Sequence, residues 1–325
     1  MKLKLLSTIA LTIAITAGLW LWLHRTVPTP RSLPVAATPA AAPVPKPFPS
    51  NPVKMVTVSS PQQPMVINPS KNAWSDIQTI VSSNEVYHTR FDAINVLPSS
   101  LTDDDWEALQ PFLLKPDALD AEQLNQVLKN RLLDTLCAMN PPPGGLGDVL
   151  TQMYRDYKQN DVIRDYAVQH LAAYYEQLNS PPNANAKARQ TIQEVLWGAL
   201  SETRDSIAGT ALLGLLRMSQ EDAGIVQNKI ATAALQLAND GNAGELSHIT
   251  AYQVCARMNV QAALPTIEAA AQESPTISQK ISAIGALGLL GGTEQVALLN
   301  AVLQGDEERL KPAALHALEQ IASRH

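Results

Sequence analysis

Six histidines, two cysteines and several carboxylate clusters are the residues of this chain whose types could carry chemistry. His24, His88, His170, His248, His316 and His325 never fall at helical metal-ligand spacing. None forms a His-Glu-x-x-His motif or stands beside a Cys-x-x-Cys, so no zinc-type site is spelled out. No Gly-x-Ser-x-Gly elbow is present to raise a serine nucleophile. Gly144-Gly145-Leu146-Gly147 lacks the Lys-Ser/Thr of a phosphate-binding loop and follows no strand pattern. Asp103–Asp105 and Glu307-Glu308 read as helix starts and solvated acids. These observations assign no catalytic, cofactor-binding or metal residue, and the chain reads as not an enzyme. A catalytic pair meeting only across the fold would leave no trace in the spacing.

The aromatic residues offer a different chemistry. Tyr154, Arg155, Tyr157, Tyr175 and Trp197 are of the types that anchor protein interfaces. They form a candidate partner-binding set, with Tyr154, Arg155 and Tyr157 expected on one helix. The competing reading is core packing, above all for Tyr174 and Trp197.

A repeat must position these residues. A basic residue, a small residue three positions later, an aliphatic one and then a Leu recur along the chain. The clearest copies are Lys280-Ile281-Ser282-Ala283-Ile284-Gly285-Ala286-Leu287 and Lys311-Pro312-Ala313-Ala314-Leu315-His316-Ala317-Leu318, 31 residues apart. Aligned on the last position, seven copies end at Leu97, Leu136, Leu171, Leu212, Cys255, Leu287 and Leu318, with spacings of 31 to 43 residues. Four positions earlier stand Ala93, Leu132, Ala167, Ala208, Ala251, Ala283 and Ala314. Offsets of three and four put both columns on one helix face, and small residues there admit a close neighbouring helix. A self-similar period of this size predicts an all-α stack of helical hairpins.

Seven positions before the Leu column come Arg90, Lys129, Arg164, Asp205, His248, Lys280 and Lys311. A cation in the first turn of its own helix opposes the helix dipole. The column therefore points to a tertiary role, such as pairing with a carboxylate or helix C-terminus nearby, over a ligand-binding stripe. Between the copies lie second helices with marked starts. Thr102 before three aspartates is an N-cap, Ser219 with Asp222 approximates a capping box, and Pro265 suits a first helical turn.

The columns resemble HEAT repeats, in particular the bacterial HEAT-like type named after phycobilisome lyase subunits. The likeness is closest over 280–321, in the run Ala283-Ile284-Gly285-Ala286-Leu287-Gly288-Leu289-Leu290-Gly291. Arg164-Asp165-Tyr166-Ala167 fits the opening of that family's first helix. The resemblance implies a right-handed α-α superhelix over 73–325, of about six hairpins plus a terminal helix. It implies no lyase activity, since such repeats serve scaffolds, adaptors and inhibitors as well as lyase subunits.

Residues 1–4 read as a short cytoplasmic tail. Leu5 through Leu23 follow as an uncharged, mostly apolar run of 19 residues, long enough to span a bilayer. Lys2 and Lys4 precede it, which orients the N-terminus to the cytoplasm. The competing reading is a cleaved secretion signal, but no small-x-small site adjoins Leu19-Trp20-Leu21-Trp22-Leu23. Residues 24–72 are rich in Pro and Ala without one acid, the composition of a semi-rigid tether. The expected location is the inner (cytoplasmic) membrane, single-pass, with the helical domain periplasmic. The alternative is a secreted or periplasmic protein after cleavage.

All 30 acids lie at or after Asp76, so residues 72–325 carry 17 cations against 30 acids, a net charge of −13. That balance argues against nucleic acid, whose backbone needs clustered cations. Cys255 in the Leu column and Cys137 beside it are about 30 Å apart if three repeats at ~10 Å separate them, too far for a disulfide. The functional expectation is a membrane-tethered scaffold or adaptor for an unidentified protein partner. The alternative is an enzyme or cofactor-handling, lyase-like subunit on the same repeats.

Overall fold

The computed structural model describes residues 73–116, 123–178 and 185–324. Among them are fourteen α-helices and no strand. In chain order these are α1 (Ala73–Val81), α2 (Tyr87–Asn95), α3 (Asp103–Leu114), α4 (Gln123–Ala138), α5 (Leu146–Arg155), α6 (Asp161–Gln177) and α7 (Ala186–Ala199). They continue with α8 (Ile207–Glu221), α9 (Gln227–Asn239), α10 (Glu245–Arg257), α11 (Leu264–Glu273), α12 (Ile277–Leu290), α13 (Val296–Gln304) and α14 (Lys311–Ala322). The even-numbered helices pack in sequence, each on the next, from α2 to α14. The odd-numbered helices form a second layer across them. This is an all-helical, repeat-like stack.

The repeat columns explain the first layer. Every member of the Ala column is buried, as are Leu136, Leu171, Leu212, Cys255 and Leu287 of the Leu column. A buried Leu or Ile in such a seam contributes about 1.5–3 kcal/mol of transfer free energy. Small residues set the approach: a Cβ on Gly288 would lie 2.8 Å from Ala317 Cα, and one on Gly214 would lie 2.8 Å from Ala172 Cβ. Helix α1, which the columns do not mark, packs on α2 and α3.

Local signals end the helices. Thr102 Oγ1 accepts from the Asp105 N–H while the Asp105 carboxylate accepts from the Thr102 N–H, a capping box. Pro265 stands in the first turn of α11. Gly145 enters α5 at φ +78°, in the left-handed region that glycine tolerates. One expected cap is wrong. Ser219 lies buried inside α8 and donates to the Leu216 carbonyl, and Asp222 closes that helix instead of opening the next. Cys137 and Cys255 are free and buried, and burial pushes both thiols up to about 12.

The expected anchor at 5–23 and tether at 24–72 lie outside the described residues. Among the described residues, no helix is long and apolar enough to cross a membrane.

Candidate protein-binding groove

The basic column turns inward. Arg90 Nε donates to the Ile80 carbonyl at 2.8 Å, and Arg164 Nε donates to the Tyr154 carbonyl at 2.8 Å. Lys129 Nζ reaches the Lys115 carbonyl at 2.5 Å, and His248 Nε2 lies 2.9 Å from the Asp240 carbonyl. Each of these carbonyls sits at the C-terminal end of the preceding second-layer helix, where carbonyls lack intrahelical partners. The cation is at the wrong end of its own helix but the favourable end of its neighbour. Asp205 is exposed and joins no such contact through its carboxylate; its backbone carbonyl accepts from Ser247 Oγ at 2.5 Å.

Two buried arginines add carboxylates and tyrosines to this scheme. Arg164, with 4% of its side chain exposed, grips Glu202 through Nη2 at 2.6 and 2.7 Å. Its guanidinium lies 5.2 Å from the Tyr154 ring centre and 4.3 Å from that of Tyr157. The Tyr154 hydroxyl donates to the same carboxylate at 2.7 Å. Burial and then this bond push the Tyr154 phenol well above its usual range. Burial opposes the charge on Arg164, yet the bonds and attraction of Glu202 and Asp161 outweigh it, and the guanidinium holds its proton more tightly than usual.

At the other end of α6, Tyr175 donates to Asp222, and Arg189 pairs with that carboxylate at 2.6 Å. Gln193 donates to the Tyr175 hydroxyl at 2.6 Å, and the Arg189 guanidinium stands 4.7 Å over the Tyr175 ring. The Tyr175 hydrogen bond is the leading cause holding the Asp222 carboxyl below its usual range. Helix α6 has 17 residues, so about 25 Å separate the two clusters.

The aromatic set therefore divides. Tyr154 and Tyr157 meet around Arg164, although Tyr157 lies in the turn after α5 and not on the helix. Tyr175 is fully buried at the opposite end of α6. Arg155 is exposed beside a shallow depression on α5 formed with Asp148, Thr151, Gln152 and Asp156. Trp197 is half-buried and lines the largest depression of the molecule's described part.

That depression is a gap in the second layer. Helices α3 and α5, α5 and α7, and α9 and α11 pack side by side, whereas α7 and α9 do not, nor do α11 and α13. Between α7 and α9 runs a groove of about 710 Å³. Trp197, Leu200 and Ser201 line one wall, Asn228, Ala233, Gln236 and Leu237 the other. Lys229 and Asp240 stand toward its two ends. The Asp240 end is clasped: the Gly244 N–H donates to the Thr203 carbonyl at 2.8 Å, and the Thr203 hydroxyl bonds the Asp240 carboxylate. The Asn242 N–H, then Thr203, hold the Asp240 carboxyl below its usual range. A Cβ on Gly244 would fall 2.1 Å from the Arg204 carbonyl oxygen, so the clasp needs glycine for room. Glu202, gripped by Arg164, sits between groove-lining Ser201 and Thr203 and ties the first cluster to this wall.

Sequence reasoning missed Glu202, Asp222 and Arg189. One signal was available: Arg90 and Arg164 each stand ten residues after the carbonyl they bind, a spacing that marks the helix end they serve. Among the described residues, no group of three or more His, Cys, Asp or Glu is placed to hold a metal.

No family model matches the chain, and no curated protein matches it. Among solved structures it is similar to an engineered protein from a structural genomics consortium, with TM-score 0.40 and 16% identity over 78% of this chain and 98% of that one. It is also similar to human deoxyhypusine hydroxylase, solved with glycerol, with TM-score 0.30 and 17% identity over 77% of this chain and 96% of that one. Likenesses this distant transfer no activity. They do correct one expectation: a fold neighbour is by its name an enzyme, so reading the chain as not an enzyme is withdrawn. The physical reason is that a helical stack joins side chains from distant repeats, as Arg164 and Glu202 join here, without any linear motif.

Proposed function

We propose that this chain is a protein-binding scaffold of the HEAT-like, right-handed superhelical kind, and that the α7–α9 groove is where it takes its partner. The observation that carries this reading is the open gap between two second-layer helices, walled by Trp197, Leu200 and Leu237. An exposed apolar trough of this size with an aromatic anchor is the form of an interaction site. Tyr157, 77% exposed and stacked on Arg164, extends the aromatic surface beside it. The net charge of −13 over 72–325 favours protein over nucleic acid. The apolar run at 5–23 and the Pro-rich stretch at 24–72 support tethering at the cytoplasmic membrane with the repeats on its outer side.

The test is partner capture by the full chain in its own cell. Ala233→Glu places a charge on the groove wall and is expected to abolish capture while the helical melting curve is kept. Glu273→Lys, on exposed α11 surface, is expected to leave capture intact. Equal capture by wild type and Ala233→Glu counts against the groove.

A second reading, an enzyme or cofactor-handling subunit on the same repeats, has one observation in its favour. Asp165 is buried between α6 and α8, its Oδ1 takes no hydrogen bond, and burial raises its pKa. A metal or chromophore that purifies with the chain and is lost in Asp165→Asn would establish that reading.

A further inference from the structure

The hydrogen-bonding groups of the groove select among the ways a protein segment could lie in it. Its hydroxyls are spent inward: Ser201 donates to the Gly198 carbonyl, Thr232 to the Asn228 carbonyl and Thr203 to Asp240. The Trp197 indole N–H and the side-chain amides of Asn228 and Gln236 take no partner within the described protein. The groove thus offers unspent donors over an apolar floor, with the Lys229 ammonium at one end. A docked α-helix brings no free carbonyls along its length, because its own N–H groups occupy them. It would cover those donors without satisfying them, which is costly. An extended segment brings a carbonyl at every residue. Proline adds the carbonyl without an N–H that would need an acceptor, and holds the segment extended in advance.

Charge and length narrow the occupant further. Lys229 and Asp240 lie eleven residues apart along α9 and its C-cap, which is about 16 Å at 1.5 Å per residue. A polyproline-type segment rises about 3.1 Å per residue, so about five residues span that distance. Two helix C-termini, those of α7 and α9, converge on the Asp240 end and add their negative dipole ends to its carboxylate.

We infer that the α7–α9 groove binds an extended, proline-containing peptide segment of a partner protein, about five residues long. Its acidic end lies at Lys229 and its basic end at Asp240. This rests on the protein-binding reading above and specifies the chemistry of the partner.

The test uses the full chain labelled with 5-fluorotryptophan, the Trp197 resonance being assigned with Trp197→Phe. The probes are the capped peptides Glu-Pro-Leu-Pro-Pro-Lys and Lys-Pro-Leu-Pro-Pro-Glu, the uncharged Gln-Pro-Leu-Pro-Pro-Gln, and a side-chain-bridged helical peptide without proline. One charged proline peptide is expected to shift the Trp197 signal and to bind at least tenfold more tightly than the helical one. Asp240→Asn is expected to weaken it about threefold, the effect of an exposed ion pair. Trp197→Ala is expected to weaken it tenfold or more, as loss of an aromatic anchor does. Tighter binding of the helical peptide, or proline-peptide binding indifferent to Trp197→Ala, overturns the inference. If no proline peptide binds while partner capture still fails in Ala233→Glu, the inference falls and the protein-binding reading stands. If capture is also indifferent to Ala233→Glu, both fall.

Discussion

The middle of the stack, α5 to α9, and its last third, α12 to α14, are built from the same hairpin by different means. In the last third the fit is one of shape. Ala283 and Ala314 are fully buried, Gly288 lets α14 approach to backbone contact, and the salt bridges there, Arg309–Glu307 and Lys311–Glu308, lie at the surface. In the middle, Arg164 and Arg189 are buried under tyrosines and clamp Glu202 and Asp222 from later repeats. Copy spacings lengthen there to 41 and 43 residues, and α7 and α9 stand apart. Regular columns close both layers by packing alone. Where they lapse, charge clusters hold the helices, and the surface left open is the groove.

The largest effect should come from breaking the middle's buried charge. Arg164→Met leaves Glu202, the Tyr154 hydroxyl and the Tyr154 carbonyl without their cation, at an expected cost of about 3–5 kcal/mol in urea unfolding. Arg309→Met, its counterpart in the last third, should cost under about 1 kcal/mol. Equal losses would erase the contrast.

Next comes acid. His170 is 3% exposed, its Nε2 lies 2.9 Å from Asn130 Oδ1, and burial pushes its pKa down to about 4. The folded chain binds this proton less readily than the unfolded chain, whose histidine titrates near 6.5. The resulting stability is full above pH 6.5 and is lost as pH falls through about 4. It amounts to at most about 3 kcal/mol at 1.36 kcal/mol per unit. His170→Gln should flatten the stability profile between pH 6.5 and 4. Asp134, 3.8 Å away with its own pKa raised by burial, contributes with the opposite sign and is common to both proteins. An unchanged slope in the variant would assign the acid loss elsewhere.

The smaller effects test packing by shape within one helix. Gly288→Ala brings a Cβ to 2.8 Å from Ala317 Cα and should destabilise by about 1–3 kcal/mol. Gly285→Ala, three residues earlier with open space at its Cβ, should stabilise by about 0.5–1 kcal/mol through helix propensity. Thermal melts of the two should move in opposite directions.

The contrast also divides what was legible. The first layer could be read because its packing repeats at i, i+4 and i+7, and Ala251, Ala283 and Ala314 are buried as their column requires. The basic column was legible as a tertiary device, since helix-end carbonyls follow from chain order. Asp222 was read as a helix start because a carboxylate after Ser219 has the form of a cap; its partners Arg189 and Tyr175 lie 33 and 47 residues away. Of the candidate aromatics, Tyr175 and Tyr154 are buried, because residue type does not separate an anchor from a core tyrosine. Trp197 lines the groove, but the groove arises from a contact that α7 and α9 fail to make, and no residue pattern records that.

The central claim is that the gap in the second layer is the working surface. Its most direct measurement is site-specific photo-crosslinking in the cell from Gln236, on the groove wall, and from Gln272, on exposed α11 surface. The account predicts one discrete adduct from Gln236, lost in Trp197→Ala, and none from Gln272. Adducts of equal yield from both positions, or none from Gln236, would contradict it.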